Sequence, residues 1–166
     1  MATKTVRPTS AVSAVWNIST VGNIDDAVTQ PTAGDGLRIR KTGSASQAQA
    51  YNTDNPSESG TMSSVTVWYY GRIPDLDFIA RLTLIRVQLN GTWFSSGAIS
   101  VTMADSYTYY SQTISVSGEI NNSLPKFEFT AVGDDGSNST LEVDVAYMDI
   151  DYAPASSNTT NFFAVI

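Results

Sequence analysis

Leu141-Glu142-Val143-Asp144-Val145-Ala146-Tyr147-Met148-Asp149-Ile150-Asp151-Tyr152 carries the cleanest alternation of apolar and polar residues in the chain. Successive side chains of an extended backbone point to opposite faces, so Leu141, Val143, Val145 and Tyr147 share one side and Glu142 and Asp144 the other. At Tyr147-Met148 the phase slips: Met148, Ile150 and Tyr152 become the apolar set, alternating with Asp149 and Asp151. An uncorrected slip would turn three large side chains to water, so a β-bulge is expected at that step, keeping both halves on one core. The stretch predicts a long, half-buried strand that closes a sheet built by earlier strands. Pro154, which has no N–H to give to a ladder, ends it.

Upstream, turn residues punctuate a series of similar segments. Val65 to Arg72, Ile79 to Leu89 and Ile99 to Met103 are the densest, separated at Pro74-Asp75 and at Asn90-Gly91, a hairpin signal before Trp93-Phe94. Tyr107 to Tyr110, Thr113 to Val116 and Phe127 to Thr130 continue the series, and Gly133 to Asn138 turns the chain into the Leu141 strand. Leu37 to Lys41 predicts a strand with Leu37 and Ile39 inward and Arg38 and Arg40 outward. Between Thr42 and Ser64 the chain reads as a long polar connection, with Gln47 to Tyr51 adding at most a weak edge strand. Val6-Arg7-Pro8 opens the ordered part, the proline suiting a strand's first residue or an edge. With no amphipathic helix in sight, the expected class is all-β: a two-sheet antiparallel β-sandwich of jelly-roll type with an extended C-terminal arm. The expected organisation is a tail at 1–5, one sandwich domain at 6–153 and an arm at 154–166.

Composition narrows the chemistry. The 166 residues hold 42% hydrophobic side chains, enough for one domain with a real core. Nine Lys and Arg against sixteen Asp and Glu leave a net charge of −7, which opposes binding to nucleic acid. No apolar run is long enough to cross a membrane as a helix, and the first residues lack an apolar signal region, so the chain is expected to stay in the compartment where it is made. There is no histidine and no cysteine. Ser-His-Asp and Cys-His nucleophiles, imidazole or thiolate metal sites and histidine bases are therefore absent from this chain, and any catalysis would run on carboxylates, lysine or tyrosine.

Several groups are candidates for function. Glu142 and Asp144, two apart on a strand and so about 6–7 Å from each other, approach the spacing of a glycosidase pair; the plainer expectation is a solvated outer face. Asp134 and Asp135, in the turn Asp134-Asp135-Gly136-Ser137-Asn138, resemble the start of a cation loop without its closing glutamate, and a tight turn is preferred. No cofactor is expected. Trp16, Trp68, Tyr69, Tyr70, Trp93, Phe94, Tyr107, Tyr109 and Tyr110 supply the material of a sugar-stacking face, with Trp93, Tyr69 and Tyr109 the candidate ligand or interface aromatics; core packing is the plainer expectation, and alternation places Trp68 and Tyr70 on one side of their strand and Tyr69 on the other. Arg38, Arg40 and Lys41 with Arg81 and Arg86 would make a basic patch for a charged protein partner. The apolar ending, Phe162, Phe163, Val165 and Ile166 after a polar spacer, is expected to pack on the sandwich or to clasp a neighbouring subunit.

Val6-Arg7-Pro8, Trp16, Ile24-Asp25-Asp26-Ala27-Val28, the glycine turn Gly34-Asp35-Gly36 with Leu37-Arg38-Ile39, and Val143 to Tyr147 together resemble small jelly-roll virion structural proteins of tailed bacteriophages. The resemblance implies a non-enzymatic head decoration or cement protein that stabilises a capsid at the virion surface. It also implies the major capsid protein and neighbouring copies of the chain, as a trimer, for partners. Similar sandwiches occur as carbohydrate-binding modules, so the alternative is a carbohydrate-binding or receptor-binding module of a phage fibre or a secreted enzyme.

Overall fold

The computed structural model describes residues 1–12, 15–16, 24, 38–75, 77, 79–120, 124–134 and 139–156. Among these residues the chain forms strands and no helix. They are β1 (Ala2–Val6), β2 (Pro8–Ala11), β3 (Ile39–Thr42), β4 (Gln47–Thr53), β5 (Gly60–Arg72), β6 (Ala80–Leu89), β7 (Thr92–Ser95), β8 (Val101–Thr102), β9 (Thr108–Ser115), β10 (Glu119–Ile120), β11 (Lys126–Gly133) and β12 (Thr140–Pro154). Every pairing is antiparallel. Sheet A runs β1-β12-β5-β10, with β3 also beside β12 and β9 beside β5; sheet B runs β2-β4-β11-β6-β7, with β8 beside β6. The expected two-sheet antiparallel sandwich of jelly-roll type is the observed architecture.

The two sheets meet over a core in which alternation decides membership. Val65, Val67 and Tyr69 of β5 and Ala146, Met148 and Ile150 of β12 are buried with Ile85 and Val87 of β6 and Phe127 and Phe129 of β11. Tyr69 reaches from sheet A to sheet B, its ring 5.5 Å edge-on from Phe129, and Phe127 and Phe129 meet at 5.3 Å in the same geometry. Edge-to-face contacts of this kind add about 0.5–1.5 kcal/mol each to the area they bury. At Asn90 (φ 50°) and Gly91 (φ 79°) both turn residues are left-handed, as a two-residue hairpin between β6 and β7 requires.

The structure corrects the sequence reading in three places. The segment 1–5, expected as a tail, contains β1, which pairs with β12 from Ala2↔Tyr152 to Val6↔Met148. Arg7 alone then carries the chain from sheet A to sheet B, where Pro8 is the first residue of β2. The polar connection 42–64 contains β4, an interior strand between β2 and β11. Its inward residues are Gln49, Tyr51 and Thr53, and only Tyr51 signals burial by type. Gln49 is tolerated inside because its Oε1 accepts from the backbone N–H groups of Val15 (3.0 Å) and Trp16 (3.3 Å). The bulge in β12 is real but earlier than expected. Val143 pairs with Gly71 and Val145 with Tyr70, so Asp144 is the unmatched residue, and the register shifts again between Asp151 and Tyr152. The C-terminal residues Phe162, Phe163, Val165 and Ile166 lie outside the described residues.

Where β12 ends, Gly60 faces it at φ +146°, and a Cβ there would stand 2.1 Å from the Ala153 carbonyl oxygen. Gly60→Ala is expected to cost about 3 kcal/mol, backbone strain and overpacking together. Gly91→Ala, with φ +79° and open space round its Cβ, should cost about 1 kcal/mol. Urea denaturation of both variants checks the ranking, and equal losses would show that the close approach at Gly60 does not constrain the fold.

Candidate functional site

Cross-strand partners lie on the same face of a sheet, so the register of β12, β5 and β9 defines an outer face on sheet A. From β5 it takes Thr66, Trp68, Tyr70 and Arg72, which alternate with the buried Val65, Val67, Tyr69 and Gly71. Past the Asp144 bulge, Val145 pairs with Tyr70 and Tyr147 with Trp68, while Tyr109 of β9 pairs with Tyr70 on the other side. A row of rings therefore crosses adjacent strands. Trp68 and Tyr147 lie 6.2 Å apart and near-parallel at 18°, Tyr70 and Tyr109 are 4.8 Å apart, and Tyr70 and Tyr107 are 5.2 Å apart. Arg7 sits over the Tyr147 ring at 5.3 Å and Arg72 over the Tyr107 ring at 4.8 Å. Trp68, Tyr70, Tyr107 and Tyr109 are half-buried, with ring surface in reach of solvent. The Trp68 Nε1–H is shielded and has no acceptor among the described residues, a cost of about 1–3 kcal/mol for a buried donor.

One end of the row is cationic. Glu142, only 1% exposed, pairs with Arg72 across β5 and with Arg40 across β3. Its Oε1 accepts from Arg38 Nε (2.9 Å) and from Arg40 Nε (2.9 Å) and Nη2 (2.6 Å). Its Oε2 accepts from Arg72 Nε (2.9 Å) and the Tyr107 hydroxyl (3.2 Å). Burial alone would raise the Glu142 pKa, but hydrogen bonds from Arg40 and Arg72 and the charges of Arg38 and Arg40 outweigh it and hold the carboxyl below its usual range. Burial, and then the Glu142 charge, push the Tyr107 hydroxyl up to about 12. Burial and the neighbouring phenols of Tyr147 and Tyr70 do the same for Tyr109, also to about 12. Both stay neutral donors at pH 7.

The other end is acidic and rich in hydroxyls. Asp149 accepts from Thr5 at 2.6 Å, and Asp151 from Thr3 at 2.7 Å and Ser64 at 2.9 Å. Thr66 and Thr113 meet at 3.0 Å beside them.

The structure separates residues that the sequence reading grouped. Tyr69 faces the core at 1% exposure, so it is not a surface aromatic. Tyr109 lies on the outer face of sheet A, whereas Trp93 lies on sheet B, where the Arg86 guanidinium covers its ring at 4.3 Å. The basic patch also divides: Arg38 and Arg40 belong to sheet A, Arg81 and Arg86 to sheet B, and Lys41 is buried with its ammonium donating to the Gly43 carbonyl. Asp134 is ion-paired with Arg81, Asp135 lies outside the described residues, and no group of three metal-ligating side chains occurs among those described. Glu142 is not a solvated acid, and the bulge takes Asp144 out of the two-residue spacing a catalytic pair needs. A carboxyl held ionised by guanidiniums is also a poor general acid. Sequence reasoning named Trp68, Tyr70 and Tyr107 among nine candidate aromatics without separating them from the core, and missed Tyr147 and Arg72. Trp68, Tyr70 and Arg72 were findable, since they alternate on one side of a strand whose other side is apolar.

No protein-family model matches the chain, and no curated protein matches its sequence. Among solved structures it is similar to the family 35 carbohydrate-binding module from Clostridium thermocellum (10% identity, 92% of this chain and 100% of that one, TM-score 0.45). It is also similar to the C-terminal family 6 module of LamC from Zobellia galactanivorans (13%, 90% and 98%, TM-score 0.43). A third is the CBM6cm-2 module of lichenase 5A from Cellvibrio mixtus, solved with cellotriose (12%, 90% and 97%, TM-score 0.39). At these identities the likeness is one of fold. The matches are consistently carbohydrate-binding modules, which corrects the expected kinship with phage decoration proteins, and with it the capsid-stabilising role and the capsid protein and trimer as partners. The fragments behind that resemblance are common sandwich parts: Val6-Arg7-Pro8 is the crossing between sheets, and Val143 to Tyr147 is the bulged section of a central strand.

Glu142→Gln removes the charge that three guanidiniums share and is expected to cost about 3–5 kcal/mol at pH 7. The Glu142 pKa is depressed in the folded state, so its contribution is complete above the unfolded value of about 4.3 and fades as pH falls through the folded value. Denaturation curves from pH 7 to about pH 3 should show the gap between wild type and variant closing, and a gap independent of pH would contradict the assignment.

Proposed function

We propose that this chain is a carbohydrate-binding β-sandwich module whose ligand lies along the outer face of sheet A. The observation that carries the reading is the row Trp68, Tyr147, Tyr70, Tyr109 and Tyr107, placed on the outside of the sheet rather than in the core. Trp68, Tyr70, Tyr107 and Tyr109 remain partly wetted, while Tyr147 beside Trp68 is only 3% exposed, and burying the open rings against a ligand recovers hydrophobic free energy. A pyranose suits them because it offers flat C–H surface to an aromatic ring and hydroxyls at its edge. Neutral phenols and the Thr and Ser hydroxyls beside Asp149 and Asp151 supply the polar contacts that set orientation.

The reading is one of binding without turnover. This chain has no histidine or cysteine, and the carboxylate nearest the rings is held ionised by arginines.

Titration of a panel of neutral and acidic oligosaccharides by calorimetry is expected to find a binder, with Trp68→Ala weakening it about thirty-fold or more, as for a central aromatic anchor. Melting temperature monitors the fold of the variant. Wild-type affinity in a folded Trp68→Ala protein, or no binder in the panel, would refute the proposal.

A further inference from the structure

One step along the strands from Trp68 and Tyr147, the outer face of sheet A changes from rings to oxygens. The register sets Thr113, Thr66, Asp149 and Thr5 side by side across four strands. The row after it holds Ser64, Asp151 and Thr3. All of these residues are exposed or half-buried, and they alternate on β5 and β12 with the buried Val65, Val67, Met148 and Ile150.

The two carboxylates are not equivalent. Asp151 has both oxygens engaged, Oδ1 by the Thr3 hydroxyl at 2.7 Å and Oδ2 by the Ser64 hydroxyl at 2.9 Å. Asp149 has one: Oδ1 accepts from Thr5 at 2.6 Å, and among the described residues nothing donates to Oδ2. No described Lys or Arg forms an ion pair with either acid. A wetted carboxylate oxygen is ordinary by itself; its place beside the rings is what singles out Asp149. Trp68 pairs with Tyr147 and Thr66 with Asp149, so these four side chains occupy one square of the face, with about 6–7 Å between successive outward residues of a strand. Tyr147, 3% exposed, closes its corner, while Trp68 stays half-open. Thr66 shares a hydrogen bond with Thr113 at 3.0 Å in which either hydroxyl can donate, so Thr66 adapts to a neighbouring donor or acceptor.

We infer that Asp149 is a specificity-determining residue of the ring face: its Oδ2 accepts a hydroxyl of a neutral sugar that lies on Trp68, and Thr66 meets the adjoining hydroxyl. This rests on the carbohydrate-binding reading above. An ionised carboxylate accepts and never donates, so it selects a ligand group that carries a hydrogen, and the charge strengthens that bond. A uronate carboxylate or a sulfate at the same point would set oxygen against oxygen, with like charge. The two acids stand at successive outward positions of one strand, each bound to its own threonine, and do not converge on one point as cation ligands do.

The test measures, by calorimetry, the binding of neutral trisaccharides of glucose, mannose and galactose and of the uronate trimers that share their linkages. At least one neutral trisaccharide should bind the wild-type chain, with its uronate counterpart about tenfold weaker. Asp149→Asn puts an amide N–H donor where the free acceptor was. It should weaken the neutral form about tenfold and narrow the ratio of neutral to uronate affinity, whereas Asp151→Asn should leave both nearly unchanged. Melting temperature monitors the fold of each variant. Deoxygenated forms of the binding trisaccharide give a readout that a purely structural role would not move. Loss of one particular hydroxyl should cost the wild-type chain about tenfold and cost Asp149→Asn little more, as for two groups in direct contact. Equal affinity of wild type and Asp149→Asn, equal losses in the Asp149 and Asp151 variants, uronates binding as tightly as the neutral forms, no hydroxyl whose loss is specific to the wild-type chain, or binding abolished by EDTA would overturn the inference and leave the carbohydrate reading standing. No binding to any of these probes would remove both.

Discussion

In sheet A, β12 is paired with β5 from Glu142↔Arg72 to Pro154↔Gly60, and the residue left over at Asp144 sets the facing of everything after it. Before the bulge, Leu141 and Val143 are inward and Glu142 outward; after it, Ala146, Met148 and Ile150 are inward and Tyr147 outward. Because side chains alternate with a period of two, moving one unmatched residue along the strand exchanges whole sets of side chains between core and surface. Placing it at Asp144 gives the core the small Ala146, opposite Tyr69, whose ring with those of Phe127 and Phe129 already spans the space between the sheets. It turns Tyr147 to the outer side of the sheet, where the ring is buried against Trp68 at 3% exposure. The aromatic face is thus a consequence of how the core is filled.

The same register brings Glu142 opposite both Arg40 and Arg72. Removing a carboxylate from water costs several kcal/mol, and the attraction of one partner rarely repays it. Here guanidiniums from both flanks of β12 converge on one carboxylate. Through Arg40 this contact also holds the short strand β3 to the sheet, since among the described residues β3 pairs with β12 alone. Side chains that secure an edge strand are therefore the same ones that hold the Glu142 carboxylate.

The two outer faces differ. On sheet B Arg86 forks onto Glu128 while covering Trp93, and Arg81 meets Asp134. On sheet A a row of half-buried rings, Trp68, Tyr70, Tyr107 and Tyr109, leads to a carboxylate ringed by Arg38, Arg40 and Arg72.

Fold class was legible in the sequence because alternation and turn chemistry are local. Val65 to Arg72 and Leu141 to Tyr152 declare themselves as strands, Asn90-Gly91 as a hairpin turn and Pro8 as the head of a strand, whatever surrounds them. The missing histidine and cysteine likewise bounded the chemistry without any structure. The site was only half legible: Trp68 and Tyr70 could be placed on one side of their strand, but which side met water could not. That choice, the position of the bulge at Asp144 rather than at Tyr147-Met148, the inward seat of Gln49 and the burial of Glu142 under arginines from other strands were decided by tertiary structure. Each depends on a partner remote in sequence: Tyr70 and Trp68 for the bulge, the backbone of Val15 and Trp16 for Gln49, Arg38, Arg40 and Arg72 for Glu142. Local pattern carries no information about such partners, and only the packed sheets bring them within bonding distance.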